Sequence, residues 1–229
     1  MYSITTENYT ELIPEDVTEV IYETYIWNIS KIKFPESVSS IMFGHAFNQS
    51  LDNVEFPESL CSMVLGYRFN QSLDNVLFPK FLKSITFGNI FNNSLDNIKF
   101  PEFLESIIFG NNFNQSLENV KFGNYLESIT FGNNYCKHLN NVQFPKSLHT
   151  IIFHKYNNNK MNAELELKEL QIGLLNTPII DLPVNIKKII LLKIGNGGVF
   201  EKELETIKKR QEYMDISKIP FGCEIVYES

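Results

Sequence analysis

Apolar residues along this chain recur in a fixed grammar rather than in a helical or simply alternating pattern. Each unit reads L-x-x-V-x-F followed by L-x-x-I-x-F, as in Leu51, Val54, Phe56 and then Leu60, Met63, Leu65. In each piece the last two apolar positions are two apart, so both face one side of an extended segment. Their β-branched and aromatic character favours that conformation. Pro57, Pro79, Pro101 and Pro145 follow the first piece and end it. Gly66, Gly88, Gly110 and Gly132 follow the second, where glycine permits a turn with positive φ.

The pattern returns every 22 residues in six contiguous copies: 25–46, 47–68, 69–90, 91–112, 113–134 and 135–156. A half-copy starts at Ile13, and a degenerate one lies at Ile179–Leu192. A fixed period of this length is the signature of a solenoid, because one unit cannot bury its apolar side alone. The expected fold is mainly β, a leucine-rich-repeat-like solenoid with two short parallel strands per repeat and an α-helix-containing C-terminal cap. Stacking the copies predicts three ladders. One holds Phe56, Phe78, Phe100, Phe122 and Phe144. A second holds Phe43, Leu65, Phe87, Phe109, Phe131 and Phe153, and a third Phe47, Phe69, Phe91 and Phe113. They account for most of the 19 phenylalanines. Asn48, Asn70, Asn92 and Asn114 fall at one corner and Asn53, Asn75, Asn97, Asn119 and Asn141 at another. There a short amide satisfies backbone groups and bonds the next copy, and Ser50, Ser72, Ser94 and Ser116 do similar work.

The expected organisation is one continuous solenoid. Residues 1–24 form an N-terminal half-repeat cap, 25–156 six repeats, and 157–229 a degenerate repeat with an α/β cap. Within the last region, Val199–Met214 places Phe200, Leu204 and Ile207 on one helical face, and "IPFGCEIVYE" reads as a final strand. The stretch Asn157–Lys160 reads as a loop.

Composition removes several function classes. The net charge of −7 and the lack of a basic stripe argue against a nucleic-acid partner. Three distant cysteines, Cys61, Cys136 and Cys223, do not make a disulfide framework, which favours a reducing, cytoplasmic setting. No basic and apolar leader opens the chain, and no apolar run reaches membrane-spanning length. Of the four histidines, His45 lies in the first copy, and His138, His149 and His154 read as replacements in the fading final copy. Neither they nor Cys136 assemble a metal-ligand set or a nucleophile with an oriented base. Asp52, Asp74 and Asp96 form a row that reads as a solvated corner, and no phosphate-binding glycine loop occurs. The expectation is a non-enzymatic chain with no metal, cofactor, membrane or nucleic-acid partner.

The word F-N-Q-S-L-D-N-V-x-F-P resembles the FNIP repeat, a leucine-rich-repeat-like motif of social amoebae and of giant DNA viruses that infect amoebae, over about residues 13–156. The L-x-x-V-x-F-P order also resembles bacterial surface leucine-rich repeats. The resemblance implies a protein-interaction array, acting on host proteins in the host cytoplasm if viral. Many such proteins carry an N-terminal F-box that recruits a ubiquitin ligase. About a dozen residues precede the first half-copy here, too few for that helical module. A substrate-recognition role would therefore need an F-box on another chain.

Rows that vary between copies are the candidates for partner binding, since rows fixed by the fold carry little information. One row is Ser37, Ser59, Phe81, Phe103, Tyr125 and Ser147, aromatic in three consecutive copies only. A second is Lys33, Glu55, Leu77, Lys99, Lys121 and Gln143, from which Lys99 and Lys121 are singled out. If exposed, Phe81, Phe103 and Tyr125 form an aromatic stripe of the kind enriched in interface hot spots. The alternative is that the rings fold under the corner and widen the core.

Overall fold

The structure is a computed structural model that describes residues 1–4, 12–23, 29–135, 137, 139, 141–156, 188–194 and 224–228. Ten strands make one parallel sheet in strict sequence order: β1 Tyr2–Ile4, β2 Glu19–Tyr22, β3 Ser40–Phe43, β4 Ser62–Val64, β5 Ser84–Thr86, β6 Ser106–Ile108, β7 Ser128–Phe131, β8 Thr150–Tyr156, β9 Lys188–Ile194 and β10 Glu224–Glu228. From β3 to β8 the register repeats with the 22-residue period, pairing Ser62 with Ser84, Ser106 and onward in line. The expected solenoid is therefore present. Strand β9 overlaps the end of the degenerate copy and runs two residues past it, and β10 falls inside the expected final strand. Strand β1, with Tyr2 paired to Val20 and Ile4 to Tyr22, adds a rung that the repeat word does not announce. The expected helix at Val199–Met214 and loop at Asn157–Lys160 lie outside the described residues.

Each coil has one strand, not two. The L-x-x-V piece is a turn in which Val54 N–H donates to the Leu51 carbonyl at 3.2 Å. Val76 and Leu73, Ile98 and Leu95, and Val120 and Leu117 repeat the bond. A turn also carries both ends inward, so the same spacing fits either structure. A second sheet ladder is further blocked because most copies follow this piece with proline, which has no N–H to donate. A coil thus has three corners. They are the glycine corner (Gly66 carbonyl to Phe69 N–H, 2.9 Å), the leucine–valine turn, and the proline corner (Pro57 carbonyl to Leu60 N–H, 3.1 Å).

The interior is filled by stacked columns. Phe47, Phe69, Phe91 and Phe113 are buried, with neighbouring rings 6.0, 6.1 and 6.1 Å apart. Phe87, Phe109 and Phe131 form a second buried column at 5.2 and 5.6 Å. The third expected column, Phe56 to Phe144, is only partly buried against the others. It closes the flank of the core rather than its centre. Leucine columns complete the filling, with Leu51, Leu73, Leu95 and Leu117 along one side and Leu60, Leu82, Leu104 and Leu126 along another. Each such side chain contributes about 1.5–3 kcal/mol through removal from water.

Polar repeats serve the backbone. The Asn48 Oδ1 accepts from Asn70 N–H at 2.8 Å, and Asn70 and Asn92 do the same for Asn92 and Asn114. Gln71 Nε2 donates to the Asn48 carbonyl, and Asn93 and Gln115 repeat that bond one coil on. The Ser50, Ser72, Ser94 and Ser116 hydroxyls accept from the N–H two residues later at 3.0–3.2 Å. Asn53 alone among described non-glycine residues has a positive φ, of 62°. The corner glycines serve a different purpose from the one expected. None needs positive φ; a Cβ on Gly88 would lie 1.9 Å from the Gly66 carbonyl oxygen. The glycine column lets adjacent coils approach at the corner.

At the N-terminal end Tyr22 takes a core position between Phe43 and Phe47, at 5.9 and 5.4 Å between ring centres. It is fully buried, and its hydroxyl meets no hydrogen-bond partner among the described residues. Burial pushes its phenol up to about 12. The unfolded phenol ionises near pH 10, so its contribution is present below pH 10 and is lost as pH rises toward 12. Tyr22→Phe is expected to leave stability at pH 7 unchanged or slightly raised, because no satisfied bond is removed. It should also flatten the loss of stability between pH 10 and 12. Urea midpoints of both proteins at pH 7 and pH 11 check this. A variant clearly weaker at pH 7 would show that the hydroxyl has a partner.

Candidate interaction surface

The proline corner builds the candidate site. Its third turn residue is Ser37, Ser59 or Ser147 in the first, second and sixth copies. In each, the hydroxyl donates to a carbonyl of the preceding coil: Ser37 to Val17 at 2.6 Å, Ser59 to Val38 at 2.8 Å and Ser147 to Leu126 at 2.7 Å. The serine ties coil to coil. Phe81, Phe103 and Tyr125 hold this position in the three copies between, and phenylalanine cannot make the bond.

The rings lie outside. Phe81 is 51% and Tyr125 50% exposed, with Phe103 half-buried between them. Phe81 and Phe103 stack at 5.5 Å and 20°, and Phe103 and Tyr125 lie at 4.9 Å and 41°. The interior beneath this corner is already occupied by Leu82, Leu104 and Leu126, at most 1% exposed, so there is no space for the rings to fold under. Of the two arrangements weighed from sequence, the surface stripe is the one formed.

Lys80, on the same turn as Phe81, places Nζ 5.7 Å from the Phe81 centroid and 5.5 Å from that of Phe103. A cation over ring faces is attracted by their quadrupoles, by about 0.5–1 kcal/mol at an exposed site. Sequence alone did not single out Lys80. Its row otherwise reads Glu36, Glu58, Glu102, Asn124 and Lys146, and only the position over two rings marks it. Lys99 and Lys121 are exposed two residues before their corners, as Phe103 and Tyr125 stand two after. In the first aromatic copy that place is Leu77, 81% exposed. The structure brings the three rings together and leaves Lys99 and Lys121 on the approach to the same corners, forming no ion pair among the described residues.

The row Ser39, Cys61, Lys83, Glu105, Glu127 and His149 also varies between copies. Lys83 Nζ meets Glu105 Oε1 at 2.9 Å, and that hydrogen bond and charge hold the lysine above its ordinary range. His149 Nε2 stands 3.8 Å from Glu127 Oε2, and its Nδ1 is 2.9 Å from Thr150 Oγ1. His45 stacks on Tyr67 at 4.5 Å. Cys136 and His138 lie outside the described residues, as does the His154 side chain. Among the described residues no three His, Cys, Asp or Glu side chains converge, and no helix is long and apolar enough to cross a membrane.

These features define a repeat protein of the parallel β-solenoid class. The FNIP Repeat family model matches residues 47–90, 69–112 and 113–156, so the chain carries FNIP repeats across that span, which includes every ring of the stripe. Among solved structures, one described as the crystal structure of the pneumococcal vaccine antigen PcpA aligns at 13% identity and a TM-score of 0.29. It covers 93% of this chain and 68% of that one. No curated protein matches the chain.

Proposed function

We propose that this chain is a non-enzymatic protein-interaction scaffold, and that its docking surface is the stripe of Phe81, Phe103 and Tyr125 flanked by Lys80, Lys99 and Lys121. One observation carries the proposal. Three consecutive coils replace an inter-coil hydrogen bond by half-exposed rings that the core has no place for. Exposed aromatic rings cost solubility and gain little for the fold, whereas in an interface they supply rigid contact area. The Lys83 row and the asparagine corner, by contrast, are tied into an ion pair and a ladder of their own. The kinship of the repeat word with those of social amoebae and of viruses of amoebae directs the search for a partner to amoebal cytoplasmic proteins.

The test is the triple variant Phe81→Ser, Phe103→Ser, Tyr125→Ser, presented with the native chain as bait in amoebal lysate. Serine restores the residue that three other copies use, and by their geometry it can reach the Leu60, Leu82 and Leu104 carbonyls. Its melting temperature is expected to equal or exceed that of the native chain, with the partner captured by the native chain lost. A substantial fall in melting temperature, or capture that survives the substitutions, overturns the proposal. Recovery of ligase components on the native stripe alone would assign the scaffold to substrate recognition in ubiquitination.

A further inference from the structure

We infer that the stripe takes a short peptide segment carrying carboxylate side chains beside an apolar anchor; this rests on the docking surface proposed above and names what it recognises. The first support is charge. The chain as a whole carries −7, yet the cations at the stripe are left over. Lys80, Lys99 and Lys121 form no ion pair among the described residues; the carboxylates of their rows nearest them are Glu102 and Glu58, whose Oε2 accepts from the Lys80 backbone N–H at 3.3 Å. In the next row Lys83 is paired with Glu105, and Glu127 faces His149 at 3.8 Å. Lysines without an ion-pair partner of their own favour acidic partners and speed their encounter.

Ring orientation gives the second support. Phe81 and Phe103 stack along the coil axis and Tyr125 is tilted by 41° to Phe103, so Phe103 turns an edge rather than a face toward solvent at the centre of the stripe. Aromatic edges carry the positive end of the ring quadrupole and favour oxygen anions over cations. The one cation that lies over ring faces is the chain's own Lys80. The Tyr125 hydroxyl adds a donor at the far end. On the outer sides of Phe81 and Tyr125 the neighbouring coils carry the small residues Ser59 and Ser147. These are the places for an apolar anchor. The third support is length. Successive ring centres 5.5 and 4.9 Å apart give a stripe of about 10 Å, the reach of about three extended residues. That is a short linear segment rather than a folded domain face.

The probe is a phage-displayed library of random dodecapeptides, panned on the full chain and on the triple serine variant, with enriched peptides then measured by fluorescence anisotropy. The expected peptides combine Asp or Glu with Leu, Phe or Met, and bind the native chain but not the triple variant. They should weaken roughly tenfold on Lys99→Glu, Lys121→Glu and weaken further with added salt. Enriched peptides that need the rings but show no carboxylate bias, or bind the lysine variant as well, would overturn the acidic assignment and leave the docking surface standing. Peptides indifferent to the serine substitutions, or no enrichment at all, would overturn both.

Discussion

Gly88→Ala is expected to abolish cooperative folding of the repeat array, although it adds a single methyl group. The new Cβ would sit 1.9 Å from the Gly66 carbonyl oxygen, 2.9 Å from its carbonyl carbon and 3.2 Å from the Tyr67 carbonyl oxygen. All three are backbone atoms, so no side-chain rotation relieves the overlap. The Gly66 oxygen is also held by the Phe69 N–H at 2.9 Å, which fixes the corner it belongs to. Relief therefore requires the coils to separate, and separation breaks the pairing of β4 with β5. The expected loss exceeds about 4 kcal/mol, in the range of exceptional single substitutions. Because each coil touches only its neighbours, the damage divides the array at its middle. Thermal melting followed by circular dichroism, with Lys83→Ala as the reference, checks this. Lys83 sits in a solvent-screened, exposed ion pair that contributes little, so that variant should melt close to the native chain. A Gly88→Ala protein melting beside it would refute the close-approach role.

Phe91→Ala is expected to be the second most damaging change. Phe91 is fully buried, with Phe69 and Phe113 at 6.1 Å on either side and Phe87 at 4.6 Å. The coils above and below are held in register by the Asn70 and Asn92 side chains, which bond to the next coil. The cavity therefore cannot collapse, and the cost lies at about 3–5 kcal/mol. For a chain of this length that is a fall in Tm of about 10 °C. Phe78→Ala, in the partly buried column, removes the same ring from a position that water already reaches, and should cost about half as much. Equal losses from Phe91 and Phe78 would mean that the two columns are not sorted by depth.

Most of the fold was legible because the period repeats and the inward positions repeat with it. Leu51, Val54, Leu60, Met63 and Phe69 are each 0–4% exposed, and all belong to the apolar grammar of the unit. What periodicity could not decide was geometry that shares a spacing. Leu51 and Val54 fit a turn as well as a strand, and the hydrogen bond across them makes it a turn. The corner glycine fits a left-handed turn as well as a close approach, and only the distance to the coil below distinguishes them. Tyr2–Ile4 joins the sheet through backbone pairing that carries no repeat word.

The site was half legible for the same reason. A break in a repeated position marks Phe81, Phe103 and Tyr125, but whether such rings turn in or out depends on the volume already taken. The leucine column at that corner takes it. Lys80 escaped notice because its significance lies in its position over two rings, which no one-dimensional pattern encodes.

Hydroxyl-radical footprinting of the intact chain, read residue by residue by mass spectrometry, tests the sorting of rings on which the account depends. Phe81 and Tyr125 are predicted to be oxidised readily and Phe103 less so, while Phe69, Phe91, Phe113, Phe87 and Phe109 stay protected until the chain unfolds. Comparable oxidation of the two sets, or protection of Phe81 and Tyr125 in the free chain, would contradict it.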